Sequence, residues 1–68
     1  MNTEILLNGE SHVLQGADTV AALVQQLDLH NQRIAVELNH EIVLRSEYAG
    51  TRLNAGDRVE IVHAIGGG

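Results

Sequence analysis

One stretch of the chain has the apolar spacing of an amphipathic helix. Four apolar residues recur there at intervals of three and four positions: Val20, Leu23, Val24 and Leu27. Asp18 or Thr19 can cap the first turn, so we predict a helix over residues 19–28. A helix of about ten residues is not stable alone in water, and it must gain its stability by packing on a sheet.

The segments on both sides of this helix have the composition and alternation of strands. The predicted strands are residues 4–8, 11–15, 33–38, 41–44 and 57–64. Asn8-Gly9 is a strong hairpin signal between the first two strands. Residues 45–50 have no clear period and are predicted to hold a single helical turn. The order β-β-α-β-β-β predicts an α+β fold, with one helix across a mixed sheet of four to five strands.

The core of this domain must be aliphatic. The 68 residues include no Cys, Phe or Trp and one Tyr, so Ile, Leu, Val and Ala have to supply the buried surface. The four histidines lack the spacing of metal ligands, and no disulfide is possible. We therefore expect a domain without a metal or bound cofactor, with Tyr48 at the edge of its core.

The charge of the chain restricts its partners and its location. Four basic residues, all arginine, stand against nine acidic ones, for a net charge of −5. This balance disfavours nucleic acid and anionic membranes as partners. No apolar run approaches the length of a membrane span, and the first residues lack the layout of a signal peptide. The expected location is cytoplasmic.

Three glycines, Gly66, Gly67 and Gly68, follow the last predicted strand directly. Without Cβ atoms they can pass through a channel too narrow for other residues, and they extend over roughly 10 Å. We predict a domain over residues 1–65 and a flexible tail over residues 66–68, which delivers a terminal carboxylate into another protein's active site. The alternative is that these glycines are a frayed terminus or a remnant of an expression tag.

The last strand carries more apolar side chains than one sheet face needs. Alternation places Val59, Ile61 and His63 on one face and Glu60, Val62 and Ala64 on the other. We predict a partner interface of Val62, Ala64 and Ile65. Alternatively, residues 45–53 cover the apolar side chains. His63 is expected to be a partly buried packing residue, although a functional role so near the tail stays open.

Several segments together resemble the ThiS family, the sulfur carriers of thiamine biosynthesis, which have the ubiquitin-like β-grasp fold. They include Leu7-Asn8-Gly9-Glu10, Ile34-Ala35-Val36-Glu37-Leu38-Asn39, Glu41-Ile42-Val43 and the whole of residues 53–68. A Gly-Asp turn, a last strand and a Gly-Gly end also occur in the small subunit of molybdopterin synthase, so these features alone specify only a superfamily. His40 departs from the Gly or small polar residue expected in its turn.

The resemblance implies a carrier and not an enzyme. An E1-like adenylating enzyme of the ThiF type would use ATP to make an acyl-adenylate at Gly68. A sulfur donor protein would then displace AMP and leave a thiocarboxylate, from which thiazole synthase takes the sulfur. The residues agree, because no nucleophile–base set, phosphate-binding loop or paired carboxylates can be identified in the sequence. The alternatives are a molybdopterin-type sulfur carrier, a ubiquitin-like protein modifier and an interaction module with an inert tail.

Overall fold

A computed structural model describes residues 3–64 of the chain. Its elements are β1 (Glu4–Leu7), β2 (Glu10–Val13), α1 (Val20–Gln26), β3 (Ile34–Leu38), β4 (Glu41–Val43), a 3-10 helix (Arg45–Gly50) and β5 (Arg58–His63). The predicted order of elements and the helical turn after β4 are therefore confirmed. Ile65, Gly66, Gly67 and Gly68 lie outside the described residues, as does the predicted boundary between domain and tail.

The five strands form a single mixed sheet in the order β2-β1-β5-β3-β4. β5 lies at its centre, parallel to β1 and antiparallel to β3. The two hairpins, β1–β2 and β3–β4, lie in the sheet on either side of β5. The last strand is thus inserted between two hairpins that come earlier in the chain.

Helix α1 covers one face of the sheet and completes an aliphatic core. The core residues are Ile5, Leu14, Val20, Leu23, Val24, Val36, Val43, Tyr48, Leu53, Val59 and Ile61. Tyr48 is buried as predicted, and the guanidinium of Arg45 lies 5.9 Å from its ring centroid, within the range of a cation–π contact. The sheet therefore has one buried face and one face, the open face, that no element within residues 3–64 covers.

The helix begins as predicted and ends earlier. Thr19 is the N-cap, and its hydroxyl oxygen accepts a hydrogen bond from the Ala22 N–H at 3.1 Å. At the other end Asp28 has a φ of 61°, and the Leu29 N–H donates to the Val24 carbonyl at 2.9 Å. These are the marks of a Schellman ending, in which a left-handed residue stops the helix. The prediction of helix up to residue 28 was wrong because this position holds Asp instead of the Gly that usually signals such an ending.

His40 in the β3–β4 turn has a strained backbone conformation. Asn39 and His40 have φ values of 51° and 72°, the left-handed values of a type I′ turn. An L side chain is disfavoured at such φ values, while Gly adopts them freely. We expect His40→Gly to raise the free energy of unfolding by about 0.5–1 kcal/mol, after the larger chain entropy of unfolded Gly is subtracted.

Urea unfolding monitored by circular dichroism would measure this change. The control is His30→Gly, at an exposed position whose φ is not positive; there the same substitution should lower the stability. A His40→Gly variant that is less stable than the parent would contradict the assignment of strain.

Candidate functional site

The end of β5 is the part of the described structure from which the glycine segment continues. Pairing with β3 runs along the strand to His63, which is aligned with Ile34. One residue further, the Ala64 N–H still donates to the Arg33 carbonyl at 2.9 Å. The chain is therefore held on its β3 side up to the last described residue.

Four apolar residues beside this end form an exposed surface, which we name the apolar patch: Ala35, Ile42, Leu44 and Val62. Val62 lies opposite Ala35 across the β5–β3 pairing, on the face away from α1. Ile42 lies on the same face of β4, and Leu44 follows two positions later in extended conformation. The exposed fractions of Val62, Ile42 and Leu44 are 59%, 61% and 58%. Clustered exposed side chains of this size are typical of interaction surfaces.

Two carboxylates lie next to the apolar patch. Glu37 of β3 and Glu60 of β5 are directly opposite each other on the open face. Like charges in this arrangement weaken strand pairing. Arg58 lies on the same face of β5, two positions before Glu60, so this face carries charges of both signs beside its apolar patch. The face is thus suited to a partner with an apolar centre and charged groups around it.

The predicted interface residues can now be placed. Val62 and Ala64 are both exposed, and residues 45–53 do not cover them, because the 3-10 helix packs against α1 on the opposite side of the sheet. His63 is exposed too, so the expectation of a packing role was wrong. Val59 and Ile61 on the inward face of β5 belong to the core. His63 is the next inward position, and the core does not extend to it. The predicted contact residue Ile65 lies beyond the described range.

Sequence reasoning missed the contributions of β3 and β4 to this surface. The alternation in the sequence places Ala35 and Glu37 on one face, so their outward orientation could be predicted. Nothing in the local pattern showed that β5 would lie beside β3, and the proximity to Val62 and Glu60 follows only from that pairing.

The remaining features of residues 3–64 offer no arrangement for catalysis. A cavity of about 450 Å³ opens between β4 and the 3-10 helix, lined in part by Glu41, Ser46 and Glu47. Glu47 accepts a hydrogen bond from the Leu44 N–H at 3.1 Å, which makes it a helix cap, and no histidine lines the cavity. Within the described range no group of His, Asp and Glu residues could hold a metal ion. None of the helices there has the length and apolar character needed to cross a membrane.

Comparison with known proteins gives consistent matches along the chain. Residues 5–68 match the ThiS family. A thiazole synthase of Paramagnetospirillum magneticum is 43% identical over 65 residues, which are 96% of this chain and 20% of that protein. The sulfur carrier protein ThiS of Escherichia coli is 31% identical over 65 residues, 96% of this chain and 98% of that protein. The chain spans about a fifth of the length of the thiazole synthases it matches.

The structural comparison agrees with the sequence comparison. A crystal structure of a thiamine biosynthesis protein (ThiS) from Geobacter metallireducens superimposes with a TM-score of 0.82 at 30% identity. The superposition covers 97% of this chain and 100% of that one. The likeness therefore includes the whole arrangement of sheet and helix.

Proposed function

This chain belongs to the ThiS family, and from that premise we propose that it is a sulfur carrier of thiamine biosynthesis with Gly68 as the site of attachment. The predicted ubiquitin-like β-grasp fold is confirmed by the superposition on a ThiS structure. The observation that carries the proposal is the extent of the family match, which runs over residues 5–68 and so includes β5 and all three glycines.

The proposed chemistry takes place at the carboxyl group of Gly68. An α-carboxylate is an anion at neutral pH and a poor electrophile, so an oxygen must first become a leaving group. In the proposed sequence, this oxygen attacks the α-phosphorus of ATP on an E1-like enzyme and releases pyrophosphate. Sulfide supplied by a donor protein then attacks the carbonyl carbon and releases AMP. The product is a thiocarboxylate, in which one oxygen of Gly68 has been replaced by sulfur.

In this proposal the catalytic groups belong to the partners. The described residues offer a stable domain and an open sheet face, and no nucleophile–base arrangement was found among them. The glycines, with no side chains, suit passage into a narrow active site. The chain then acts as a substrate and carrier, and ATP is bound by the activating enzyme.

Thiazole synthase is the proposed acceptor of the sulfur. In two matching relatives, both named thiazole synthase, a segment similar to this chain accounts for 20% of the protein. Joining two interacting units in one polypeptide raises their effective concentration, which favours combinations that work together. Any carrier that is not joined to its acceptor has to reach it by docking.

We assign docking on the activating enzyme, as well as on the acceptor, to the open face of the sheet, through the apolar patch that includes Val62 and through Ala64 and the next residue in sequence, Ile65. Val62→Asp is expected to lower kcat/KM for activation by the E1-like enzyme roughly 10- to 100-fold, because a charge would enter an apolar contact. Since Val62 is 59% exposed, the core is unchanged, and Asp in this strand should lower the melting temperature by only a few degrees, through its low β propensity and the nearby charge of Glu60. Steady-state kinetics of pyrophosphate release would measure the effect.

The matched control is Val13→Asp, on the same face of the sheet but on the edge strand β2. This variant should react like the parent protein. Equal kcat/KM values for Val62→Asp and the parent would contradict the assigned docking surface.

The function itself is tested by the intact mass of the chain after incubation with an activating enzyme, ATP and a sulfide source. The expected result is a mass increase equal to the replacement of one oxygen by sulfur, localised by fragmentation to Gly68. An unchanged mass with a competent activating enzyme would contradict the proposal. Attachment to other proteins would indicate a modifier, and sulfur delivery to a molybdopterin precursor would indicate the related carrier class.

A further inference from the structure

The side chain of Asn8 takes the place of a strand residue beside β5. β1 runs parallel to β5 but pairs with it only at Leu6 and Leu7. The chain then turns away at Asn8, whose own N–H still donates to the Val59 carbonyl at 2.9 Å. Ile61 is the next residue of β5 whose backbone N–H and C=O point toward β1, and β1 has already ended at that position.

Asn8 supplies both hydrogen bonds that a longer β1 would have made to Ile61. Its Oδ1 accepts from the Ile61 N–H at 2.8 Å, and its Nδ2 donates to the Ile61 carbonyl at 3.2 Å. A carboxamide has the same donor and acceptor as a peptide group, so it can replace one. Asn also tolerates the φ of 52° that this turn position requires.

This contact is three residues before Ala64, the last described residue of the chain. Beyond Ile61, β5 is paired with β3 on one side through His63, and Asn8 provides the last contact from the β1 side among the described residues. A strand end bonded on both sides has a narrower range of directions than one bonded on a single side. Among the described residues, the end of β5 is therefore held from the β1 side through Asn8.

We propose that Asn8 is a positioning residue for the modification of Gly68: it fixes the direction in which β5 presents the residues that follow it. This inference rests on the proposed function. Loss of the amide lowers the fraction of molecules whose chain end points into the activating enzyme. The apparent affinity falls in proportion to that fraction, whereas the chemical step in the bound state is unchanged.

The chain contains a matched control for this role in Asn39. It occupies the same position in the β3–β4 turn, with a φ of 51°. Its Oδ1 accepts from the Arg58 N–H at 2.9 Å and its Nδ2 donates to Asp57 Oδ1 at 3.2 Å. Each asparagine thus accepts a hydrogen bond from a backbone N–H of β5, Asn39 at the start of the strand and Asn8 in the half that leads to the glycines.

The experiment compares Asn8→Gly with Asn39→Gly. Gly keeps the positive φ of each turn and removes only the amide. Both variants should melt at a lower temperature than the parent. At a temperature where both are folded, Asn8→Gly should raise KM for the activating enzyme roughly tenfold with kcat nearly unchanged. Asn39→Gly should leave both constants close to those of the parent protein.

Amide hydrogen exchange provides a second readout. The Ile61 N–H, which donates to Asn8 Oδ1, should lose protection in Asn8→Gly and keep it in Asn39→Gly. If Asn8→Gly does not fold, Asn8→Asp, which retains an acceptor for the Ile61 N–H, is compared with Asn39→Asp in the same assays.

The outcomes separate this inference from the function on which it rests. A parent protein that gains no sulfur would overturn the proposed function, and the positioning role with it. A parent that reacts normally, together with equal KM values for Asn8→Gly and Asn39→Gly, would overturn the positioning role alone.

Discussion

A chain that lacks Gly68 is expected to accept almost no sulfur and yet to melt at nearly the same temperature as the parent protein. The deletion moves the reacting carboxylate back by one residue, roughly 3.5 Å along an extended chain. Reacting atoms must lie within about 3–3.5 Å of each other, so a shift of this size should reduce the reaction by at least roughly 100-fold. The stability should persist because the core residues of the described part of the chain lie between Ile5 and Ile61.

Intact mass spectrometry and thermal unfolding would test both halves of this prediction. Gly68→Ala provides a control that keeps the carboxylate at its position. Sulfur incorporation by the shortened chain at the parental rate, or a melting temperature several degrees lower, would contradict the prediction.

Gly67→Val tests whether the path to the carboxylate accepts a branched side chain. We expect no adenylation of this variant in a narrow channel.

The second large effect is expected in the core, where Leu23→Ala should remove much of the stability of the domain. Leu23 is on α1 and is 0% exposed. Replacing a buried Leu by Ala costs about 2–5 kcal/mol, because apolar contacts are lost and a cavity is left. A domain of 68 residues has a total stability of roughly 3–10 kcal/mol. Helix α1 has seven residues and is too short to be stable without packing, so its own hydrogen bonds cannot make up for the lost contacts of Leu23.

The same substitution at an exposed site provides the control. Leu44 is 58% exposed, so Leu44→Ala should change the free energy of unfolding by no more than about 0.5 kcal/mol. Urea unfolding of both variants measures the difference. If Leu23→Ala costs less than Leu44→Ala, α1 does not anchor the core in the way described.

Local patterns predicted most of the fold because each depends on residues close together in sequence. The spacing of Val20, Leu23 and Val24 is a property of one helix, and Asn8-Gly9 specifies a turn through its own backbone preferences. The errors arose where the deciding feature was atypical or distant. Asp28 ends the helix in a conformation usually taken by Gly, and His63 is exposed because the core does not extend to it.

The amino-acid sequence by itself determined the identity and order of the elements, the aliphatic character of the core and the glycines that follow β5. These properties depend on hydrophobic period, residue composition and backbone preference, all of which act locally. Only the tertiary structure decided that β5 lies between the two hairpins. That placement puts Val62 opposite Ala35, Glu60 opposite Glu37, and Ile61 against an asparagine 53 positions earlier in the chain. Strand register between distant segments is set by hydrogen bonding and packing across the whole sheet, and no local pattern encodes it.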